Sequence, residues 1–157
     1  MKLKVDIAND CRSHWSPDNK SCKKWLGSAL QCAGHEAPGN ISLRFVDECE
    51  ITELNSRYRG KAASTNVLSF PAALPAAITG QLDDEPLGDI VICPQVVEAE
   101  ASSQGKALEA HWAHLLVHGC LHLLGYDHEA EEQARNMENL EIRALESLGF
   151  ENPYLIG

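Results

Sequence analysis

Four stretches of the chain have the apolar pattern of β-strands. Residues 2–8 and 41–47 alternate polar and apolar side chains, which is typical of a strand with one buried face. Residues 67–70 (VLSF) form a short apolar run that Pro71 ends, and residues 87–93 (LGDIVIC) form a longer run suited to a central strand. The pattern therefore predicts a sheet of about four strands.

Apolar residues recur at three- and four-residue intervals in five other stretches, which predicts five helices. Asp47 is predicted to cap the second of them and Gly60 to end it. An Asp side chain accepts from free backbone N–H groups at a helix start, and glycine readily adopts the left-handed turn at a helix end. A break is expected at 125–128. The predicted helices are 18–33, 47–60, 95–104, 107–124 and a last one that runs through Met137 and Leu148 to Gly149.

The stretch between the third and fourth strands, residues 71–86, is rich in alanine, proline, glycine and acidic residues and has no sustained period. It is therefore predicted to be a mobile surface loop. Strands and helices in this mixed order predict an α+β fold, a small mixed four-stranded sheet packed by about five helices, with an α/β arrangement as the alternative. A chain of 157 residues without internal repeats is expected to form a single domain, residues 1–157.

The composition is that of an ordinary globular protein, with 44% hydrophobic and 23% charged residues. No apolar run approaches the roughly 20 residues that span a bilayer, and the N-terminal MKLKVDIAND has no secretory h-region. We therefore expect a soluble cytoplasmic protein that makes no contact with a membrane. Its six cysteines are scattered without a CxxC pair, so they are predicted to be reduced and to act as small buried or partly buried residues.

Histidines are concentrated in one segment, HWAHLLVHGCLHLLGYDH, which holds five of the seven. On a helix, His118 and His122 lie on one face about 6 Å apart along the axis, and two imidazoles at that separation reach one ion with bonds of about 2.0–2.1 Å. Gly125 can end the helix in a left-handed turn that returns the chain and delivers His128 as a third ligand. The spacing therefore predicts one zinc ion per chain, held by these three histidines, on helix 107–124 and the turn that follows.

Three histidines without a cysteine favour a catalytic zinc over a structural one, because structural sites are usually closed by four ligands, often thiolates. A catalytic site keeps its fourth position for water, whose pKa the metal lowers toward neutrality. Cys120 lies two residues after His118 on the predicted helix. It is therefore predicted to point away from the metal and to pack in the core.

The histidine spacing resembles the metzincin peptidase motif H-E-x-x-H-x-x-G-x-x-H with one change. Gly119 stands where those peptidases carry their glutamate base. Without that base, peptide hydrolysis loses a contribution of about 10²–10⁴-fold. A peptidase is therefore the weaker hypothesis.

His114 lies one helical turn before His118. By spacing alone that pair would bind an ion as well as His118 and His122, but the glycine turn favours the later pair. His114 cannot share an ion with His122, because eight residues of helix span about 12 Å. It is predicted to act either indirectly on the site or on the substrate, with a plain surface histidine as the alternative. His111 is predicted to be a surface histidine.

Three segments together resemble the YbeY family of bacterial endoribonucleases, the ribosomal RNA maturation factors: HGCLHLLGYDH, VLSFP at 67–71 and LGDIVI at 87–92. The resemblance extends from the second helix to the C-terminal NPY. It implies zinc bound by three histidines, cleavage of single-stranded RNA, 3′ end maturation of 16S rRNA and quality control of ribosomes. It also implies contact with the small ribosomal subunit and with an assembly GTPase.

The formal net charge of −10 argues against non-specific coating of nucleic acid, because neutralisation of phosphates supplies that kind of affinity. An RNA substrate therefore requires a local basic patch. The resemblance points to an arginine at the end of the second helix, Arg59, and Arg57 and Lys61 lie beside it. Guanidinium is a bidentate partner for phosphate, so these three are predicted RNA contacts. The alternative is a solvated helix end where cations suit the dipole.

The chain departs from the family pattern just before VLSF, where Pro-Thr-Asp is usual and Ser64-Thr65-Asn66 stands here. A neutral Asn66 lacks the charge with which an aspartate would orient a neighbouring basic group. The zinc ligands and Arg59 are not affected by this change.

The working hypothesis is metal-assisted cleavage of RNA phosphodiesters, with zinc as a Lewis acid, as the source of hydroxide, or both. Arg59 would stabilise charge on the phosphate. His114 is the first candidate for proton transfer and Asp127 the second, although Asp127 could equally orient a ligand histidine. Attack by water and attack by the RNA 2′-hydroxyl both remain open.

Two other functions are compatible with the residues. The same metal could hydrolyse a peptide or a small amide, which the missing glutamate at Gly119 argues against. Alternatively, the chain is a non-catalytic ribosome-assembly factor in which a structural zinc holds the last two helices together.

Overall fold

A computed structural model describes residues 3–36, 38–72, 85–127 and 129–155 of the chain. These residues form four strands and five helices, as the predicted α+β fold requires. The strands are β1 (Leu3–Asn9), β2 (Gly39–Phe45), β3 (Val67–Pro71) and β4 (Glu85–Ile92). The helices are α1 (Asn19–Cys32), α2 (Glu48–Arg59), α3 (Pro94–Gln104), α4 (Leu108–Leu123) and α5 (Glu131–Ser147).

The four strands form one mixed sheet in the order β1-β2-β4-β3. β2 pairs in parallel with both β1 and β4, so Leu43 lies between Ile7 and Ile90. β3 is antiparallel to β4 and forms an edge of the sheet. The prediction that 87–93 supplies a central strand is confirmed, because β4 has a neighbour on each side.

The two faces of the sheet bury different sets of side chains. Leu43 and Phe45 of β2 project to one face, where they join the main core with residues of α1, α4 and α5. Leu68 and Val91 project to the other face and form a smaller cluster with Ile51 of α2. Each such buried side chain contributes about 1.5–3 kcal/mol, so the larger core supplies most of the burial energy and holds α4 firmly against the sheet.

Both predicted boundaries of α2 are confirmed by their cap geometry. The Asp47 side chain accepts from the backbone N–H of Glu50 at 2.8 Å. Gly60 ends the helix in the left-handed conformation, with φ of 69°, which glycine adopts without a Cβ clash. Together these caps place Arg59 as the last residue of α2.

β3 includes Pro71 and β4 begins two residues before the predicted strand, so both ends of the predicted loop 71–86 were wrong. Glu85 and Pro86 pair with Gly39 and Asn40 of β2, and the register then shifts before the rest of β4 pairs. This irregularity interrupts the apolar pattern that the prediction relied on. Residues 73–84 of the predicted loop lie outside the described residues.

The cysteines largely follow the prediction. Cys11, Cys22, Cys93 and Cys120 are buried and Cys32 is half-buried, but Cys49 is exposed. The prediction was therefore wrong for Cys49, because it occupies the first turn of α2 on the side facing solvent. No helix of the described segments combines the length and the apolar character needed to cross a membrane.

Gly119 lets α4 approach the sheet closely. A Cβ at this position would lie 3.2 Å from both Ile90 Cγ2 and Ser69 Oγ, and the Ser69 hydroxyl donates to the Gly119 carbonyl at 3.0 Å. Any side chain at position 119 would thus begin against the sheet, where β3 and β4 fill the space. Close packing against the sheet therefore explains why position 119 is glycine, independently of whether a peptidase base is needed there.

We expect Gly119→Ala to lack the stabilisation that Gly27→Ala, its match in the middle of α1, should give. A Cβ at Gly27 meets no atom within 4 Å, so alanine should raise the free energy of unfolding by about 1 kcal/mol through helix propensity. At Gly119 the same gain is opposed by overpacking of about 1–3 kcal/mol, and we expect no gain or a net loss. Urea denaturation of the two variants measures both. An equal stabilisation by Gly119→Ala would contradict the close packing.

Candidate metal centre

The turn after α4 has the geometry predicted from Gly125. This glycine has φ of 99°, its N–H donates to the His122 carbonyl at 3.0 Å, and the N–H of Tyr126 donates to the Leu121 carbonyl at 3.1 Å. These two bonds form a Schellman motif, which satisfies the last carbonyls of the helix and turns the chain back. The predicted glycine turn is confirmed. His128, which this turn was predicted to deliver, lies outside the described residues.

His118 and His122 face each other one turn apart at the end of α4. Their Nε2 atoms lie 3.0 Å apart, and their ring centroids are separated by 4.5 Å. Two nitrogens bound to one tetrahedral zinc at 2.0–2.1 Å would lie about 3.3 Å apart. The spacing of the two rings therefore matches a pair that binds one ion.

The second nitrogen of each ring is held by an acceptor. Nδ1 of His122 lies 2.8 Å from the Tyr126 carbonyl, which can only accept, so this Nδ1 carries a proton and donates. Nδ1 of His118 lies 3.2 Å from Oε1 of Glu141 and donates to that carboxylate. In a neutral imidazole the other nitrogen is then an acceptor. Both Nε2 atoms thus direct lone pairs toward the same point.

The chemistry of this donor set fits a metal ion. Two facing lone pairs at 3.0 Å repel each other unless a proton or a cation lies between them, and ligand histidines typically donate their other N–H to a carboxylate or a carbonyl. Within the described ranges no group of three His, Cys, Asp or Glu side chains is arranged to hold a metal. The fit therefore concerns His118 and His122, and His128 as third ligand stays a prediction.

Glu141 of α5 is the main site residue that the sequence analysis missed. It has no exposed surface, and its Oε1 accepts from Nε2 of His114 at 2.9 Å as well as from His118. Burial alone would raise the pKa of Glu141, but the hydrogen bonds from His114 and His118 outweigh it and lower the pKa to about 2. One signal was present, because Glu141 interrupts the apolar stripe between Met137 and Leu145.

His111 and His114, which precede His118 and His122 on α4, contact different glutamates. His114 is mostly buried and binds Glu141, which supports the indirect role of the two predicted for it. His111 was predicted to lie on the surface, and this was wrong, since it is only 4% exposed. Its Nε2 lies 2.9 Å from Glu100 of α3, which packs over it, and burial lowers the pKa of His111.

Asn66 contacts an acid, where the sequence analysis expected a basic group beside it. Its amide donates to both oxygens of Glu100, at 3.0 and 3.3 Å, and its Oδ1 accepts from the Val67 N–H at 2.6 Å. Glu100 in turn binds His111. An ionised aspartate at 66 would repel this carboxylate, so asparagine suits the contact that exists here.

Cys120 and Asp127, which are close in sequence to the proposed ligands, make contacts with other parts of the protein. Cys120 is fully buried, its Sγ lies 3.9 Å from the Leu26 carbonyl, and burial raises its pKa to about 12. The predicted packing role of Cys120 is confirmed. Oδ1 of Asp127 accepts from the Glu129 N–H at 3.2 Å.

The basic residues lie at the end of α2, on the face of the sheet opposite to α4. Arg57 forms an ion pair with Glu53 at 2.9 Å, whereas the side chains of Arg59 and Lys61 are exposed and make no ion pair with any described residue. The structure thus brings His114, His118 and His122 together near Glu141 and leaves the basic residues on a separate element. The edge strand β3 lies between α2 and α4.

An aromatic pair joins the end of α2 to β3. Tyr58 is 59% exposed, and its ring meets Phe70 of β3 edge-on, with centroids 5.3 Å apart. Ser69, the preceding residue of β3, projects to the other face and contacts Gly119 of α4. Two consecutive residues of β3, Phe70 and Ser69, therefore contact the basic end of α2 and α4 respectively.

The site is a cluster of histidines around a buried glutamate, at the end of a helix that packs on a mixed sheet. The family model described as Endoribonuclease YbeY matches residues 7–149. Proteins named Endoribonuclease YbeY from two strains of Pseudomonas putida are each 48% identical over 154 residues, 98% of this chain and 93% of theirs. The chain therefore belongs to the endoribonuclease YbeY family, and the prediction of an enzyme of that family is confirmed.

A solved structure shares the fold over nearly the whole chain. The solution structure of TM1509 from Thermotoga maritima superposes with a TM-score of 0.54 at 22% identity. The match covers 98% of this chain and 99% of that protein. At this identity the likeness establishes the fold alone.

We expect Glu141→Gln to weaken zinc binding about 10–100-fold, because partners that orient ligand histidines typically contribute that much to metal affinity. Glutamine keeps the shape but loses the charge that three donors converge on. Competition with a chromogenic chelator measures the affinity. Glu146→Gln, an exposed change on the same helix, alters net charge equally and should leave zinc affinity unchanged. Wild-type affinity in Glu141→Gln would remove Glu141 from the site.

Proposed function

We propose that the chain is a single-domain, zinc-dependent endoribonuclease of the cytoplasm that cleaves single-stranded RNA. Its proposed role is 3′ end maturation of 16S rRNA and quality control of ribosomes. The observation that carries the proposal is the pair of Nε2 atoms 3.0 Å apart, each aligned by an acceptor on Nδ1. Membership of the endoribonuclease YbeY family supports RNA as the substrate.

The proposal assigns separate roles to the residues that would bind the ion and to those that orient them. His118, His122 and His128 would hold the ion, which when bound supplies Lewis acidity toward a phosphoryl oxygen and lowers the pKa of water. Glu141 and the Tyr126 carbonyl keep the first two rings in place. A buried support of this kind limits rearrangement during the reaction, which is how fixed dipoles contribute to catalysis.

The end of α2 supplies the local basic patch that an acidic protein needs for RNA. Arg59 and Lys61 are exposed cations, and Tyr58 presents an exposed ring beside them. Guanidinium groups bind phosphate and aromatic rings stack on unpaired bases, a combination typical of single-strand binding. Arg57 contributes less because Glu53 already neutralises it.

Family resemblance extends the proposal to partners, the small ribosomal subunit and an assembly GTPase. The peptidase alternative is disfavoured, because the sheet occupies the space next to position 119. In our proposal His114 is the first candidate for proton transfer and Asp127 the second, and His114 also donates to Glu141.

The test of the proposal is chelation. The main core is built from residues of α1, α4, α5 and the sheet, so removal of zinc should leave the fold intact. We expect the chelated protein to keep its far-UV circular dichroism and lose cleavage of a single-stranded RNA, with activity restored by zinc. Unfolding on chelation would favour a structural zinc, and undiminished cleavage would exclude a metal-dependent mechanism.

We expect Arg59→Glu to lower RNA cleavage about 100-fold or more, the effect of removing one group that stabilises developing charge. Zinc content should stay near one ion per chain, because α2 carries none of the proposed zinc ligands. Arg135→Glu makes the same charge change on an exposed part of α5 and serves as the control. Equal losses in both variants would indicate a general charge effect and remove Arg59 from the mechanism.

A further inference from the structure

The segment that follows α5 reaches back to the candidate metal centre through one side chain. The hydroxyl of Tyr154 lies 3.0 Å from both oxygens of Glu141 and donates to that carboxylate. Its ring meets His114 edge-on, with centroids 5.5 Å apart. Burial and the charge of Glu141 raise the pKa of Tyr154, so the hydroxyl keeps its proton and remains a donor. Tyr154 lies beyond residues 7–149, which the family model matches.

This segment is held in place by contacts at Phe150, Pro153 and Tyr154 itself. Before it, the Phe150 ring packs edge-on against Trp25 of α1 at 6.0 Å, and the Phe150 N–H donates to the Leu145 carbonyl at 2.9 Å. Next to it, Lys106 Nζ donates to the Pro153 carbonyl at 3.2 Å. The backbone N–H of Tyr154 also donates to the Asn152 side chain at 2.8 Å. The position of the hydroxyl is therefore set by the segment, independently of Glu141.

Glu141 needs the hydroxyl because it is a charge without access to water. A buried carboxylate is tolerated only when donors surround it, and the donors in the described residues are His114, His118 and Tyr154. Oε1 accepts from all three. Loss of the hydroxyl would leave Oε2 without its donor and free the carboxylate to rotate, which would shift the acceptor that aligns His118.

We propose that Tyr154 is a positioning residue of the metal centre, whose hydroxyl fixes the Glu141 carboxylate and thereby keeps Nε2 of His118 directed at His122. The segment after α5 is then part of the functional unit through Glu141, although it supplies none of the three proposed ligands. The inference rests on the proposed metal site and goes beyond it, because it assigns a role to a residue outside the proposed ligand set.

The experiment compares Tyr154→Phe with Leu155→Ala in the full-length protein. Phenylalanine keeps the ring and its contact with His114 and removes only the hydroxyl. Leu155 is 73% exposed and serves as the neighbouring control. Zinc dissociation constants are measured by chelator competition on the metal-free proteins, together with urea denaturation of the same samples. We expect Tyr154→Phe to raise the zinc dissociation constant about tenfold, the lower end for groups that orient ligands, and Leu155→Ala to leave it unchanged.

A purely structural role would lower the denaturation midpoint without changing the zinc dissociation constant, and that result would overturn the inference. As a second readout, the visible spectrum of Co²⁺-substituted Tyr154→Phe should differ from that of the wild type, because the His118 ring changes its angle to the ion. An unchanged spectrum together with unchanged zinc affinity would likewise overturn it. A wild type that binds zinc but cleaves no RNA would refute the proposed function alone, and a wild type that binds no zinc would refute both.

Discussion

A carboxylate that never meets water must be satisfied by the protein, and this requirement at Glu141 organises the candidate metal centre. Its oxygens tie α5 to α4 through His114 and His118, and they tie the segment after α5 to both through Tyr154. Removing one partner of a buried charge typically costs about 3–5 kcal/mol. The contacts that make the burial tolerable also align a ligand histidine, so stability and ligand geometry depend on the same atoms.

The histidine pair and its turn could be predicted because all of their contacts are local in the chain. His118 and His122 lie one helical turn apart, and the φ of 99° at Gly125 is a conformation that favours glycine. The caps of α2 are equally local, since Asp47 bonds to a residue three positions away. Strand and helix positions followed from periodicity for the same reason, with two exceptions. β2 lies two residues earlier than the predicted 41–47, and an irregular register hides the start of β4.

The support of the site could not be predicted, because its contacts depend on how separate elements pack. Glu141 meets His118 across 23 residues, and Glu100 meets His111 across α3 and α4. Helical spacing shows which residues share a face, but it does not show which neighbour covers that face, so His111 was wrongly assigned to the surface. A glutamate within an apolar stripe was the one available sign of a buried ionic contact.

The turn after α4 combines two tasks in a few atoms. The Tyr126 N–H closes the helix by bonding to Leu121, while the carbonyl of the same residue holds the His122 ring. An added or deleted residue here would rotate that carbonyl away from the imidazole and would also open the helix end. Among chains of this architecture, differences in length should therefore be absent between His122 and position 128 and should collect in the other connections.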